Sequence, residues 1–409
     1  MKINFSKLYK RYINFYAFIF ILTPMGLLST IKTLMLLLLV GLFSIRIQGH
    51  LKKNTFILFI LFILFILLNI FNSYSHGFYE KEVLFEFKSI IGLFLTIFIF
   101  LYSYMNKFVN PGQIVKTIII SHVLYLSAKM LLIFAFFFNI GPASVIVDAL
   151  SNSLGVNIMA YGVLPKITLP NDLLTPIIFL IIFLNRSFLK SHFFKYKIDY
   201  FIIFICLISI IVTFNKFNII VLIFGLILFI ILIDIRKILN ILVGLLVFFL
   251  ILSYMDNLLL KIIIGLWEHR LTTEGALSTS EKIYQYALFL ERILNGNPLL
   301  GNGVGTFLYD YIRDDNIRYG YEAFIMLLIY QFGFLGLIII LFYYLLFYIN
   351  YYRLLKNKYL LFHVLLSILL FSVSFVNPMV LNSMFAVAYS LVIGNFLYLK
   401  SKRFNDVQN

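Results

Sequence analysis

Charged residues are scarce in this chain of 409 residues, where they make up 12% of the total. Soluble domains hold about 25%. Hydrophobic residues reach 62%, and the mean hydropathy is +1.01. Backbone amides in lipid must be satisfied within helices or a closed barrel, and the apolar runs here are continuous rather than alternating. The scarcity of charge therefore excludes an ordinary soluble domain and predicts an all-α integral membrane protein.

Cysteine is nearly absent as well, since Cys206 is the single occurrence. One thiol excludes an intramolecular disulfide, and its place in the middle of an apolar run favours inert packing. A cleavage site of the small-x-small type is missing after the first apolar run. We therefore expect that run to be retained as a membrane helix.

The apolar runs have lengths that suit membrane-crossing helices, which need about 20 residues each. About twelve such helices are predicted, and only Thr30 to Thr33 separates the first two. Their approximate cores are 13–29, 31–47, 55–72, 89–105, 114–138, 173–187, 199–214, 216–233, 238–255, 321–349, 359–376 and 380–399.

Basic residues are distributed unevenly over the loops. With the N-terminus in the cytoplasm, 21 of the 33 Lys and Arg residues fall on the inner side, as the positive-inside rule requires. Both termini are then cytoplasmic, and two large loops, 140–172 and 256–320, lie outside. The net charge of +16 belongs mainly to short inner loops, so nucleic acid is not indicated as a partner.

Three parts of the chain follow from this topology. Residues 1–255 carry helices 1 to 9, with the smaller outer loop at 140–172. Residues 256–320 form the large outer loop between helices 9 and 10, with six basic residues, eight acidic residues and the single Trp. Residues 321–409 carry helices 10 to 12 and a cytoplasmic tail. The long polar loop is where we expect an extramembrane active site.

A helix is predicted inside the long loop. Ser278 and Glu281 have the spacing of a capping box, and Gly296 and Pro298 end the pattern. We expect an amphipathic helix at Glu281–Leu294 that lies on the membrane-embedded body. The apolar residues that recur at helical spacing are Ile283, Ala287, Leu290 and Leu294.

Three glycines follow this helix at alternate positions, Gly301, Gly303 and Gly305. A nucleotide-binding loop is excluded, because no Gly-Lys-Ser/Thr follows and no strand precedes. Two interpretations stay open. The segment is a tight turn that needs glycine backbone angles, or a backbone that substrate approaches closely, with amides that face a diphosphate.

Two ionisable residues stand at predicted membrane edges. Glu322 lies where the polar loop becomes an apolar helix; the helix dipole stabilises a carboxylate there, yet a carboxylate at a membrane interface is costly unless it is used. Lys216 lies in a very short outer turn, Thr213–Asn218, either as a snorkelling side chain or as a cation at the mouth of a cleft.

The order of these motifs resembles the O-antigen polymerase and O-antigen ligase family of bacterial inner membranes. Its ligases have a His-polar pair, nine residues and then Gly-x-x-Gly after the large periplasmic loop. Here Glu322-Ala323, nine residues and Gly333-Phe334-Leu335-Gly336 match the spacing. Glu in place of His speaks against a ligase and fits polymerases. The stretch Asn297–Phe307 looks like the family's Pro-x-x-Gly-x-Gly-x-Gly-x-Phe signature.

Two lysines resemble family arginines. The turn at Lys216 is similar to the family's Ser-Arg turn, and Lys282 falls near a position where many members have Arg. Both replacements keep the charge and lose the bidentate guanidinium fork. The resemblance covers mainly residues 210–340.

The resemblance implies a glycosyltransferase of GT-C-like architecture that acts in polysaccharide or lipopolysaccharide biosynthesis. It would polymerise undecaprenyl-diphosphate-linked repeat units on the periplasmic face, with no cofactor and no metal. Its partners would be the lipid-linked oligosaccharide as donor and acceptor, membrane lipid and a chain-length regulator. The expected catalytic residues are Glu322 and Arg270, the expected diphosphate ligands are Lys216, Lys282, Arg313 and Arg318, and Gly301, Gly303 and Gly305 position the loop.

Other functions stay open at this point. An O-antigen ligase would perform the same chemistry with a lipid A-core acceptor. A flippase for lipid-linked oligosaccharide would line a central path with charges inside its helices. Lys129 is almost the only intramembrane charge that the sequence indicates, which speaks against a flippase. A scaffold without catalysis is a third alternative.

Overall fold

The computed structural model describes most of the predicted spans and half of the long loop. All structural statements below refer to these residues. They are 4–23, 29–47, 53–78, 80–138, 140–141, 145–146, 159–161, 164–166, 169–189, 194, 196–213, 215–232, 250, 280–312, 321, 323–349, 356–374 and 383–406.

Twelve α-helices form within the described residues. Eleven occupy predicted spans and one lies inside the long loop. The span predicted at 238–255 lies outside the described residues, except for Leu250. Five helices are long and apolar enough to cross a membrane, as expected for a helical membrane protein. The helices are α1 Phe5–Leu22, α2 Ser29–Ile47, α3 Lys53–Ser75, α4 Glu80–Met105, α5 Pro111–Phe137, α6 Leu174–Leu189, α7 Tyr196–Thr213, α8 Lys216–Leu232, α9 280–295, α10 Phe324–Ile349, α11 Lys358–Ser374 and α12 Ser383–Asp406.

The smaller outer loop contains the remaining regular structure. Strands β1 (Met159–Tyr161) and β2 (Leu164–Lys166) pair antiparallel, with Ala160 opposite Pro165. A single 3-10 turn, Pro170–Leu173, then leads into α6. The regular secondary structure of the described residues is therefore helical except for this hairpin.

The first helix begins and ends earlier than the prediction of 13–29. Asn4 caps its start by accepting the amide of Lys7 at 3.1 Å. It ends at Leu22, ahead of Pro24 and Gly26 in the sequence. Proline and glycine commonly follow a helix end, because proline cannot continue the hydrogen-bond ladder. The apolar run continues past this break, which is why hydropathy alone extended the helix too far.

Side chains near helix ends join neighbouring elements. The Tyr9 hydroxyl, near the start of α1, and Ser103, near the end of α4, share a hydrogen bond of 2.5 Å. At the opposite ends, the Asn171 side chain donates to Ile21 O at 2.7 Å. In the bundle, α4 packs against α12, α1 against α5, and α11 against α8.

A buried ion pair joins α5 to the 3-10 turn. Lys129 Nζ donates to Asp172 Oδ2 at 2.7 Å, and both side chains are almost completely buried. The same carboxylate accepts the Tyr125 hydroxyl at 3.1 Å and the amide of Leu169 at 2.9 Å. Lys129, which the sequence indicates as almost the only intramembrane charge, is thus paired with Asp172.

Removal of one partner of this pair is expected to destabilise the protein strongly. Lys129→Met leaves the Asp172 carboxylate buried without its cation, which typically costs about 3–5 kcal/mol. The double variant Lys129→Met/Asp172→Asn removes both charges and should recover most of the loss. Heat-induced unfolding of the purified protein in detergent measures both. A double variant no more stable than the single one would show that the charge itself is not the cause.

Candidate functional site

The helix after the long loop is broken at Gly333. This residue has φ 66° and ψ 178° inside α10, angles that essentially only glycine adopts. A break leaves backbone groups without partners in the helix. Residues 297–305 of the loop, which we call the glycine segment, form hydrogen bonds with four of these groups. The bonds are Asn302 N to Tyr330 O at 2.8 Å, Gly303 N to Gln331 O at 2.7 Å, Phe334 N to Pro298 O at 2.9 Å and Leu335 N to Leu299 O at 3.2 Å.

The alternate glycines let this segment approach three helices closely. At Gly303, φ is 101° and a Cβ atom would lie 2.3 Å from the Ser73 hydroxyl of α3. Gly301 and Gly305 also have positive φ, and their Cβ atoms would meet α10 and α4 at 2.3 and 2.6 Å. Any larger residue would separate the segment from the helix that it contacts.

The amides of the glycine segment are used inside the protein. Gly301 N donates to Asn297 O at 2.9 Å, Gly303 N donates to α10, and Gly305 N donates to the Glu86 carboxylate of α4 at 2.5 Å. These groups therefore do not face a diphosphate. The geometry agrees with the tight-turn interpretation, in which the glycines position the loop.

Glu86 is the buried acceptor that the sequence analysis missed. It lies in the second turn of α4 and accepts both Gly305 N and the Gln331 side-chain amide, the latter at 2.9 Å. Gln331 also donates to Thr306 O at 3.1 Å. One carboxyl group thus joins α4, the loop and α10. The available signal was an acidic residue close to a run of apolar ones, but the predicted span core began only at 89.

The thermal stabilities of two Glu86 variants are expected to show whether this side chain acts as a hydrogen-bond acceptor or through its negative charge. Glu86→Ala leaves two buried donors without a partner, at about 1–3 kcal/mol each. Glu86→Gln keeps an oxygen for both donors and should retain most of the thermal stability. Melting of the two purified variants against the wild type measures this. Equal losses in both variants would indicate that the negative charge is needed.

The head of α10 is held by α9. Gln285 is fully buried, and its side-chain oxygen accepts the amide of Ala323 at 3.0 Å. The Phe289 ring lies 4.9 Å from that of Tyr321, centroid to centroid. The Tyr321 hydroxyl donates to Tyr311 O at 2.9 Å. The residues on both sides of position 322 are therefore anchored on α9 and the loop.

The predicted helix in the loop is present, but it faces the other way. We expected Ile283, Ala287, Leu290 and Leu294 to pack on the protein. Instead, Phe289 is buried, and Ile283 and Leu294 are 65% and 69% exposed. Polar Gln285 is buried because its side-chain amide forms hydrogen bonds with Ala323, Tyr311 and Glu281. Phe289 is buried because its ring packs against those of Tyr321 and Tyr330.

Two of the predicted cationic site residues, Lys282 and Lys216, lie in the described part of the chain. Lys282 lies on α9, one turn before the residue that bonds Ala323, so it belongs to the helix that holds the head of α10. Lys216 begins α8, behind a cap in which Asn215 accepts the amide of Phe217 at 3.0 Å. The predicted residues Arg270, Arg313, Arg318 and Glu322 lie outside the described part of the chain.

Asn218 is an additional candidate beside Lys216. Its side chain is fully buried, and neither polar atom of the amide makes a hydrogen bond within the protein. Buried amides are nearly always paired with protein, water or ligand. The sequence displayed this residue in the turn Thr213–Asn218, but its burial depends on tertiary packing.

Comparison of the chain with known protein families, with curated proteins and with solved structures finds no match.

Proposed function

We propose that this protein polymerises lipid-linked oligosaccharide repeat units on the outer face of a bacterial inner membrane. The donor is a growing glycan on undecaprenyl diphosphate, and the acceptor is a single lipid-linked unit. The product is a longer O-antigen or capsule-type polysaccharide.

The observation that carries the proposal is the contact between two motifs recognised separately in the sequence. The segment that resembles Pro-x-x-Gly-x-Gly-x-Gly-x-Phe bonds directly to the break at Gly333, where Gly-x-x-Gly begins. This anchoring gives the nine-residue spacing a physical meaning. The nine residues from Phe324 to the break cover about 14 Å along the helix axis, at 1.5 Å per residue. A change in the spacing would move the start of α10 relative to the loop.

The proposed reaction is a displacement at the anomeric carbon of the donor. The acceptor's sugar hydroxyl forms the new C–O bond, and the bond between the anomeric carbon and the diphosphate oxygen breaks. Glu322 takes the hydroxyl proton as a general base. The electron pair of the broken bond leaves with undecaprenyl diphosphate.

Cations are needed where negative charge develops on the departing diphosphate. Arg270, Arg313 and Arg318 provide the guanidinium groups for this role, since arginine binds phosphate oxygens in a bidentate manner. Lys282 is the member of the set whose helix, α9, contacts the head of α10. Lys216 completes the set at the start of α8.

Extension of purified lipid-linked repeat units by the detergent-solubilised protein tests the proposal, without added nucleotide. The expected product is a ladder of longer lipid-linked glycans. Transfer to lipid A-core without any ladder would identify a ligase. Movement of lipid-linked oligosaccharide across vesicles without chain growth would identify a flippase, and either result would overturn the proposal.

A further inference from the structure

The outward face of α9 is an uncovered apolar stripe. Ile283, Ala287, Leu290 and Leu294 recur at intervals of three and four residues, so they lie on one side of the helix. Leu290 is 50% exposed, whereas Phe289 beside it is completely buried. An amphipathic helix turns its apolar stripe toward apolar surroundings, and here the stripe points away from the protein.

The buried face of α9 lies against a membrane-crossing helix. The Phe289 ring lies 5.5 Å from that of Tyr330, centroid to centroid. Tyr330 belongs to the window Phe324–Leu345, which is long and apolar enough to span a membrane. The helix α9 therefore runs along the first turns of that span.

Exposed apolar residues also lie between α9 and α10 in the chain. Leu299 and Leu300 come four and five residues after the end of α9, and both are exposed. Leu299 O accepts the amide of Leu335, which joins this surface to α10. On α10 the same kind of surface continues through three helical turns. Its exposed residues are Phe334, Leu335, Ile338 and Phe342.

We infer that α9 is an interfacial helix whose apolar stripe enters the lipid of the bilayer. Exposed apolar side chains on a spanning helix contact acyl chains, and the stripe of α9 extends that same surface. Helices of this kind bury their apolar face about 5–10 Å into the boundary between headgroups and acyl chains. The long loop is then anchored to lipid as well as to protein. This inference does not depend on the proposed reaction.

Spin labels at single cysteines test the inference. Cys206 is buried, so cysteines added at Leu290 or Leu294 can be labelled selectively, in wild-type or Cys206→Ala background. The labelled full-length protein is placed in vesicles of phosphatidylethanolamine and phosphatidylglycerol. The relaxation of each label is then measured with oxygen, which concentrates in lipid, and separately with a water-soluble nickel chelate. A label at exposed Glu291 is the polar control, and one at Ile338 is the lipid-facing control.

Labels at 290 and 294 are expected to resemble the label at 338, with oxygen more effective than the chelate. The label at 291 should show the chelate as the more effective agent. Equal chelate access at 290 and 291 would place the stripe in water and overturn the inference. Low access of both agents at 290 and 294 would reveal a protein cover, either another segment of this chain or a second copy, and would overturn it equally.

Discussion

Replacement of Glu322 by glutamine is expected to abolish the addition of repeat units. The substitution keeps the size of the side chain but removes the base that takes the acceptor's proton. General bases contribute about 10²–10⁴-fold to rate, so a chain of many additions would shrink to single units. The lengths of lipid-linked glycans made by the purified variant, separated on a gel, measure this result.

A matched control separates the loss of the base from general damage. Glu291 is an exposed carboxylate on α9 whose substitution to glutamine changes the net charge by the same amount. Glu291→Gln should give wild-type glycan lengths. Both variants should elute from size-exclusion chromatography as the wild type does. Wild-type lengths from Glu322→Gln would remove Glu322 from the mechanism, whatever the outcome for other residues.

Substitution of Gly333 by alanine is expected to cause the largest loss of stability. A Cβ atom at this position would lie 2.0 Å from Leu299 O, and φ of 66° with ψ of 178° is strained for alanine. Backbone strain of this kind costs about 1–3 kcal/mol, and overpacking adds about 1–3 kcal/mol. The glycine segment would have to leave the break, with loss of the four backbone bonds. Heat-induced unfolding in detergent and the polymerisation assay report the two consequences.

Gly41 provides the matched control for this substitution. It lies within α2, and a Cβ atom there would have no neighbour within 4 Å. Alanine is favoured over glycine inside helices by about 0.5–1 kcal/mol, so Gly41→Ala should leave the melting temperature unchanged or slightly raised. A Gly333→Ala variant with wild-type stability would mean that the break in α10 does not depend on glycine.

Local signals were enough to locate the helices. A helix satisfies its own backbone groups and a long apolar run favours one in lipid, so hydropathy alone located eleven of the described helices. The turn at Gly301, Gly303 and Gly305 was also recognisable, because a need for positive φ leaves glycine as the only common choice. The break at Gly333 was not predicted, since the apolar run continues through it. Proline and glycine at 24 and 26 were present as a stop signal, but a continuous apolar run outweighed them in the prediction.

Helix faces could not be predicted in the same way. The periodicity of α9 showed two faces, and the more hydrophobic one was assigned to the protein interior. In a membrane protein both lipid and protein are apolar surroundings, so hydrophobicity does not distinguish them. Tertiary contacts decided which face of α9 packs on the protein. The amide of Ala323 donates to the Gln285 side chain, and Phe289 packs against the rings of Tyr321 and Tyr330.

The amino-acid sequence by itself determined that this is a helical membrane protein, where most of its described helices lie and which glycines form the turn at 301–305, since these properties depend on residues close together. Only the tertiary structure decided that the glycine segment bonds to the break at Gly333, that Glu86 joins three elements and that Asp172 neutralises Lys129. These pairings join residues between 28 and 245 positions apart. No local pattern encodes them, because the partner of a buried polar group is whichever group the packing of helices brings near.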